Sequence, residues 1–440
     1  MKRLLTFGST NAPPALPSAG AMTAAGRENI VAARLANGMQ IIVWPDHNIP
    51  NVALYNWVKV GSRNESPGLT GLAHFFEHMM FNGTSHRSPG EFDLIMESHG
   101  GSSNAFTSDD VTVYQDWYPS RALDAVLELE ADRLAHLTFA PEMIERERSV
   151  VYSERRLRVD DSNVGLLAER VQSAAFEVHP YRFPTIGWPA DIKSWRLEDL
   201  QSFFRTYYAP NNQTLVLVGD VAPEQVFALA RRLLEPIPQQ EPPRQFIAHE
   251  PEQVAERRLT IRRKGQSPLV QYAFKAPAAN DPRAPGVNLL MAALIEGAAS
   301  RLHSRLVEQR KLAVEIGGDW HEGFDPSLVW LYATLPEGAD SRAFQRELDA
   351  ELAAVTADGI DAGELRRAKN LFAASFWKQR STIDGKAHLL GEYQLFHGDW
   401  RCMFDAPARY EEVTLEEVHE VARAILDVRR RTVGVLRPRS

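Results

Sequence analysis

Apolar residues recur along this chain in short strand-like runs, each followed by a longer helical stretch. Met39-Gln40-Ile41-Ile42-Val43 and Leu54-Tyr55-Asn56-Trp57-Val58 are dense in apolar, β-branched and aromatic residues and predict two strands. Gly71 to Phe81 has no Pro or Gly in its interior and is apolar around three polar residues, which predicts a buried helix. Ser102 to Tyr118, behind Gly100-Gly101, reads as extended. Pro141 to Phe176 predicts one or two long helices, with Ile144, Val150, Val151 and Leu157 set among acidic residues. Leu197-Glu198-Asp199-Leu200 opens a helix that leads to the strand Thr214-Leu215-Val216-Leu217-Val218.

The second half repeats this plan. Leu259-Thr260-Ile261 and Val270-Gln271-Tyr272-Ala273-Phe274 predict strands, followed by a helix near Val287 to Ile295. Leu415-Glu416-Glu417-Val418 opens a helix that leads to Thr432-Val433-Gly434-Val435-Leu436. Between the halves lies a Pro- and Gln/Glu-rich tract from Pro236 to Glu256. The pattern predicts an internal duplication in the α/β (α+β) class. Each copy is expected to be an α/β sandwich, a mostly antiparallel sheet with helices on one side. The expected division is a flexible lead-in over 1–28, a first domain over 29–236 that contains His74, Glu77 and His78, a linker over 237–256 and a homologous second domain over 257–440 without such a motif.

Composition narrows the function. The 440 residues are 44% hydrophobic and 24% charged, ordinary for a soluble protein of two or more domains. A net charge of −8 argues against nucleic acid as a partner. The single Cys402 excludes an internal disulfide and leaves the compartment, cytoplasm or periplasm, undecided. No apolar run reaches about 18 residues, so no membrane span is expected. The start, Met1-Lys2-Arg3-Leu4-Leu5, resembles a signal peptide, but Gly8, Ser9, Thr10 and Asn11 break its apolar core.

The chemistry concentrates in His74-Phe75-Phe76-Glu77-His78. Residues four apart share a helix face, so both imidazoles can reach one metal ion. Neutral His suits Zn²⁺, and an adjacent Glu can take the proton of a polarised water. The order His-x-x-Glu-His is the inverse of the common zinc-peptidase order. Catalytic zinc keeps three protein ligands. The Pro141–Phe176 stretch offers Glu142, Glu145, Glu147 and Glu154, of which Glu147 and Glu154 share one helical line. Composition does not choose between those two. Phe75, Phe76 and Phe81 read as core.

Three blocks carry a resemblance. His74 to Thr84, Gly100 to Thr107 with Asp110, Thr112 and Tyr114 beyond it, and Glu145 to Glu154 resemble the pitrilysin and mitochondrial processing peptidase family, in its order and spacing. The likeness runs over nearly the whole chain. It implies a zinc endopeptidase with one Zn²⁺ per chain on His74, His78 and Glu154. It makes Glu77 the general base and Glu147 an accessory acidic residue. It makes Ser103, Asn104, Ala105 and Phe106 a strand edge that pairs with an extended peptide substrate. It also implies two related domains facing each other as a clamshell around an enclosed chamber.

One departure matters. Active single-chain members resemble Ser-Arg-Leu and then Gly-Leu-Ala-Tyr in the second domain, with Arg and Tyr gripping substrate. Here Ser300-Arg301-Leu302 is present, but the later string is Lys311-Leu312-Ala313-Val314, and the Gly-rich lead-in is thinned to Gly297-Ala298-Ala299. Valine cannot donate a hydrogen bond to a carbonyl or oxyanion. The expectation is a catalytic subunit whose related partner supplies the Arg/Tyr pair. The alternatives are a homodimer, or a monomer in which Arg301 or Tyr332 serves instead. A non-catalytic assembly or peptide-binding subunit is the rival reading, and a closed structural zinc site is a second.

Overall fold

The computed structural model describes residues 29–242, 248–265 and 267–439. The expected lead-in over 1–28 and residues 243–247 of the expected linker lie outside the described residues. The first sheet holds β1 (Val31–Arg34), β2 (Gln40–Pro45), β3 (Asn51–Val58), β4 (Ser102–Thr107), β5 (Thr112–Pro119) and β6 (Gln213–Gly219), in the order β1-β2-β6-β3-β5-β4. The second holds β7 (Arg257–Lys264), β8 (Leu269–Ala276), β9 (Glu315–Trp320), β10 (Ser327–Thr334) and β11 (Arg431–Arg439), in the order β7-β11-β8-β10-β9. Without β1 the two orders coincide. In both, one pair alone is parallel, that of the outer strand with the last strand of its half, β2 with β6 and β7 with β11. The duplication read from the sequence is therefore a duplication of topology.

The helices of the first half are α1 (Leu72–Met79), α2 (Glu91–Ser98), α3 (Leu123–His136), α4 (Pro141–Arg155), α5 (Asn163–Ala175), α6 (Pro189–Ser194), α7 (Leu197–Tyr207) and α8 (Pro223–Leu233). Those of the second are α9 (Ala284–Ile295), α10 (Ser341–Asp358), α11 (Ala362–Arg380), α12 (Ile383–Phe396), α13 (Ala406–Glu412) and α14 (Leu415–Ile425). No helix among the described residues is long and apolar enough to cross a membrane.

The inner strands of each sheet, such as β6 and β8, are buried on both faces, so helices lie on both sides there and not on the expected one; the edge strands β1, β4, β7 and β9 stay partly exposed. Every residue of β6 is buried because its side chains feed two cores. Leu215 and Leu217 pack with α1 and α3, whereas Val216 and Val218 join Leu389 and Leu390 of α12, from the other half. Reciprocally, Leu167, Val171 and Ala175 of α5 pack on Leu269, Ala273 and Leu436 of the second sheet. These exchanged helices occupy equivalent places in the two copies. The close approach needs glycine: a Cβ on Gly391 of α12 would meet Trp57 Nε1 at 2.0 Å, and one on Gly434 of β11 would meet Val171 Cγ2 at 2.3 Å.

Polar bonds fasten the same interface. Asp384 accepts from Tyr55 Oη and, at 2.7 Å, from Trp117 Nε1. Asp325 pairs with Arg63 and His179. The described end of the proline-rich tract is docked. Glu250 accepts the backbone N–H groups of Glu177, Val178 and His179 at 2.8–3.0 Å and pairs with Lys275 at 3.2 Å.

Candidate metal centre

Helix α1 starts where Glu65 caps it. Its carboxyl oxygens accept from Gly71 N at 2.7 Å and Ala73 N at 2.8 Å, satisfying amides that a helix start leaves open. Leu72, Phe75, Phe76 and Met79 face the first core. That anchors His74, Glu77 and His78 on the side turned to α4 and β4.

The structure brings His74, His78 and Glu154 together: one ligand atom from each lies within 4.8 Å of the others. His74 Nε2 and His78 Nε2 stand 3.4 and 3.3 Å from the same atom, Glu154 Oε2. That oxygen is buried and has no hydrogen-bond partner. Two imidazole nitrogens and an orphaned carboxylate oxygen aimed at one point fit a zinc ion in chemistry and in number. The other Glu154 oxygen pairs with Arg158 at 2.8 Å, in the wide turn Arg156–Asp160 that follows α4.

Glu147, two helical turns before Glu154, reaches the other side of the same imidazole. His78 Nδ1 lies 2.8 Å from Glu147 Oε1, and Asn82 Nδ2 donates to Glu147 Oε2 at 2.8 Å. A carboxylate on Nδ1 keeps the proton there and leaves the Nε2 lone pair free for a metal. Burial opposes charge on His78, but Glu147 and Glu154 outweigh it and push its pKa up to about 9. Burial and the neighbouring His78 push His74 down to about 4. Glu154 is held below the ordinary carboxylate range, first by His78.

Glu77 is not part of the ligand group. Its Oε2 accepts from Thr107 Oγ1 at 2.7 Å, at the end of β4. Burial raises the Glu77 carboxyl, while the Thr107 bond opposes the rise. Ser103, Asn104, Ala105 and Phe106 lie on β4, whose one neighbour is β5 and whose outer edge is unpaired within the sheet. The segment read as one extended stretch is a hairpin, broken over Ser108–Val111. Asn82 and Thr107 lay within the quoted blocks without a role, and Arg158 lay outside them. Only Arg158 carried a signal, its four-residue spacing from Glu154.

Among the described residues, the second half offers no such group. Arg301 is spent on Glu364, with Nε to Oε1 at 2.7 Å and Nη2 to Oε2 at 2.5 Å. Val314 is 62% exposed just before β9. Tyr332 lies over the bare backbone of Gly317 and helps to line a cavity of about 510 Å³ with Trp320, Trp330, Tyr181 and Asp109.

Residues 41–187 match the family model of Insulinase (Peptidase family M16), and residues 194–372 that of the Peptidase M16 inactive domain. Zinc protease PqqE of Helicobacter pylori is 31% identical over 412 residues, 92% of each chain. A crystal structure of a protease from Helicobacter pylori superposes with a TM-score of 0.90 at 30% identity, covering 93% of this chain and 99% of the other. The periplasmic protease PqqL of Escherichia coli has the same fold, with a TM-score of 0.75 at 19% identity over 93% of this chain but 48% of its own. The chain belongs to the pitrilysin family of zinc metallopeptidases, peptidase family M16.

Proposed function

We propose that the chain is a zinc endopeptidase, with His74, His78 and Glu154 as ligands of one Zn²⁺ and Glu77 as the general base. The observation that carries this reading is the convergence of both Nε2 atoms on the partnerless Glu154 Oε2. Bound there, zinc would polarise a peptide carbonyl and lower the pKa of the attacking water to about 7. The rest is work for the chain's own groups. Thr107 occupies one oxygen of Glu77 and leaves the other to take the proton of the water. Glu77 then returns that proton to the leaving amine. Glu147 and Asn82 hold the His78 ring and its Nδ1 proton in place. The open edge of β4 is the surface on which Ser103 to Phe106 would take up an extended peptide through main-chain hydrogen bonds.

The same reading treats residues 29–236 and 257–440 as the two homologous units, with 237–256 between them. Because they exchange helices and pack directly, an enclosed chamber needs a second chain. Two observations support a related partner subunit: Arg301 is tied to Glu364, and Val314 stands where a donor is wanted. The fold likeness to a chain of twice this length is consistent with a working unit of two such halves. Cleavage of a quenched peptide tests the core of the proposal. It should stop with chelator, return with Zn²⁺, and fall roughly 10²–10⁴-fold in Glu77→Gln while the metal stays bound. Chelator-resistant cleavage, or zinc lost together with activity in Glu77→Gln, would refute the assignment.

A further inference from the structure

We propose that His86 and His136, with Asp132 orienting the His86 ring, form a second metal site, for a divalent cation of the zinc, nickel or copper class. It lies outside the His74, His78 and Glu154 group. One ligand atom from each of the three residues lies within 4.8 Å of the others. Asp132 sits on α3 with its side chain 6% exposed, at the floor of the group. It accepts from Thr84 Oγ1 at 2.6 Å and Arg87 Nη1 at 2.6 Å through Oδ2, and meets His86 Nδ1 at 2.8 Å through Oδ1. This is the carboxylate–histidine arrangement that orients an imidazole and leaves its Nε2 to a metal. The His136 ring lies against it, with centroids 4.2 Å apart, and makes no side-chain hydrogen bond among the described residues. A cavity of about 650 Å³ beside the rings leaves room for ligand waters.

The donor set fixes the class of ion. Arg87 offsets the Asp132 charge, so attraction for a hard cation is weak. Two neutral imidazoles favour zinc, nickel or copper over magnesium or calcium. Occupancy would also act on the loop after α1. Ser85 N donates to His136 O at 2.9 Å, and Thr84 bridges Leu137, so the loop already lies along the end of α3. A metal joining His86 to His136 would clamp it there, close in sequence to Asn82.

The test uses the untagged full chain, stripped of metal and dialysed against micromolar free Zn²⁺, with bound zinc counted by mass spectrometry. Wild type should bind two equivalents. His86→Ala and His136→Ala should each bind one; both rings are exposed, so the fold should persist. Glu154→Gln should keep the second equivalent while losing the first, which separates failure of this site from failure of the catalytic one. Excess Mg²⁺ or Ca²⁺ should displace nothing. Amide exchange over residues 83–87 should slow on the second equivalent in wild type and not in His136→Ala. A single equivalent in wild type, a second equivalent that survives in both His variants, or unchanged exchange on its binding would overturn the proposal.

Discussion

At the scale of single residues, the centre rests on one imidazole with a carboxylate on each side. His78 meets Glu147 through Nδ1 and Glu154 through Nε2. Spacing placed both glutamates on one helical line and could not rank them, because it does not say which atom of a ring each reaches; only the family resemblance ranked them. Glu147→Gln tests the division: it removes the acceptor that holds the Nδ1 proton and leaves the three proposed ligands. Zinc affinity, measured by chelator competition, should fall about 10–100-fold. An unchanged affinity would show that Glu147 does not orient the ring. Thr107 gives a pH prediction. Its hydroxyl favours the ionised form of Glu77, against the burial that raises the pKa. In Thr107→Val the pKa should climb further. The base must be ionised to work, so the acid limb of kcat/KM should move to higher pH while the alkaline limb stays. The roles of Asn82 and Thr107 were illegible in the sequence for a plain reason: a short polar side chain looks the same whether it faces water or a buried carboxylate.

At the scale of elements, the strands were the readable part. The runs at Ile41, Leu54, Leu215, Tyr272 and Val433 are all strands, because a buried sheet needs β-branched and aromatic residues in short runs. What covers them was not readable. Leu215-Val216-Leu217-Val218 says that both faces are buried, but not that one of them meets a helix from beyond residue 380. That information lives in long-range packing, of which Gly391 is the sharpest mark. Gly391→Ala would force a methyl group into Trp57, which is itself only 2% exposed. Overpacking of this kind costs roughly 1–3 kcal/mol. Denaturant unfolding should show the loss while zinc stoichiometry stays at the wild-type value. Full stability in this variant would mean that α12 does not lie on β3 as described.

For the whole molecule, the two-subunit proposal turns on how the chain would grip a substrate. The zinc-side residues and the open edge of β4 belong to the first half. In the second half the Arg301 guanidinium holds Glu364 through its Nε–Nη2 edge, and pulling it away would break a bidentate pair. Val314 can add only apolar contact. An oxyanion donor is worth about 10²–10³-fold in kcat where it has been removed from other enzymes. The isolated chain should therefore bind zinc normally and turn over peptide slowly. A related subunit that carries the Arg/Tyr pair should restore turnover without altering the metal content. Mass spectrometry of the preparation keeps the test clean: full activity from a homogeneous chain sinks the two-subunit reading. Val314→Tyr supplies an independent arm. Val314 is exposed and precedes β9, so the larger side chain has room and the fold should tolerate it. If the clamp is what this chain lacks, kcat should rise in that variant with zinc binding unchanged. If kcat stays low while an added partner still restores it, the partner contributes chamber walls and not a hydrogen-bond donor.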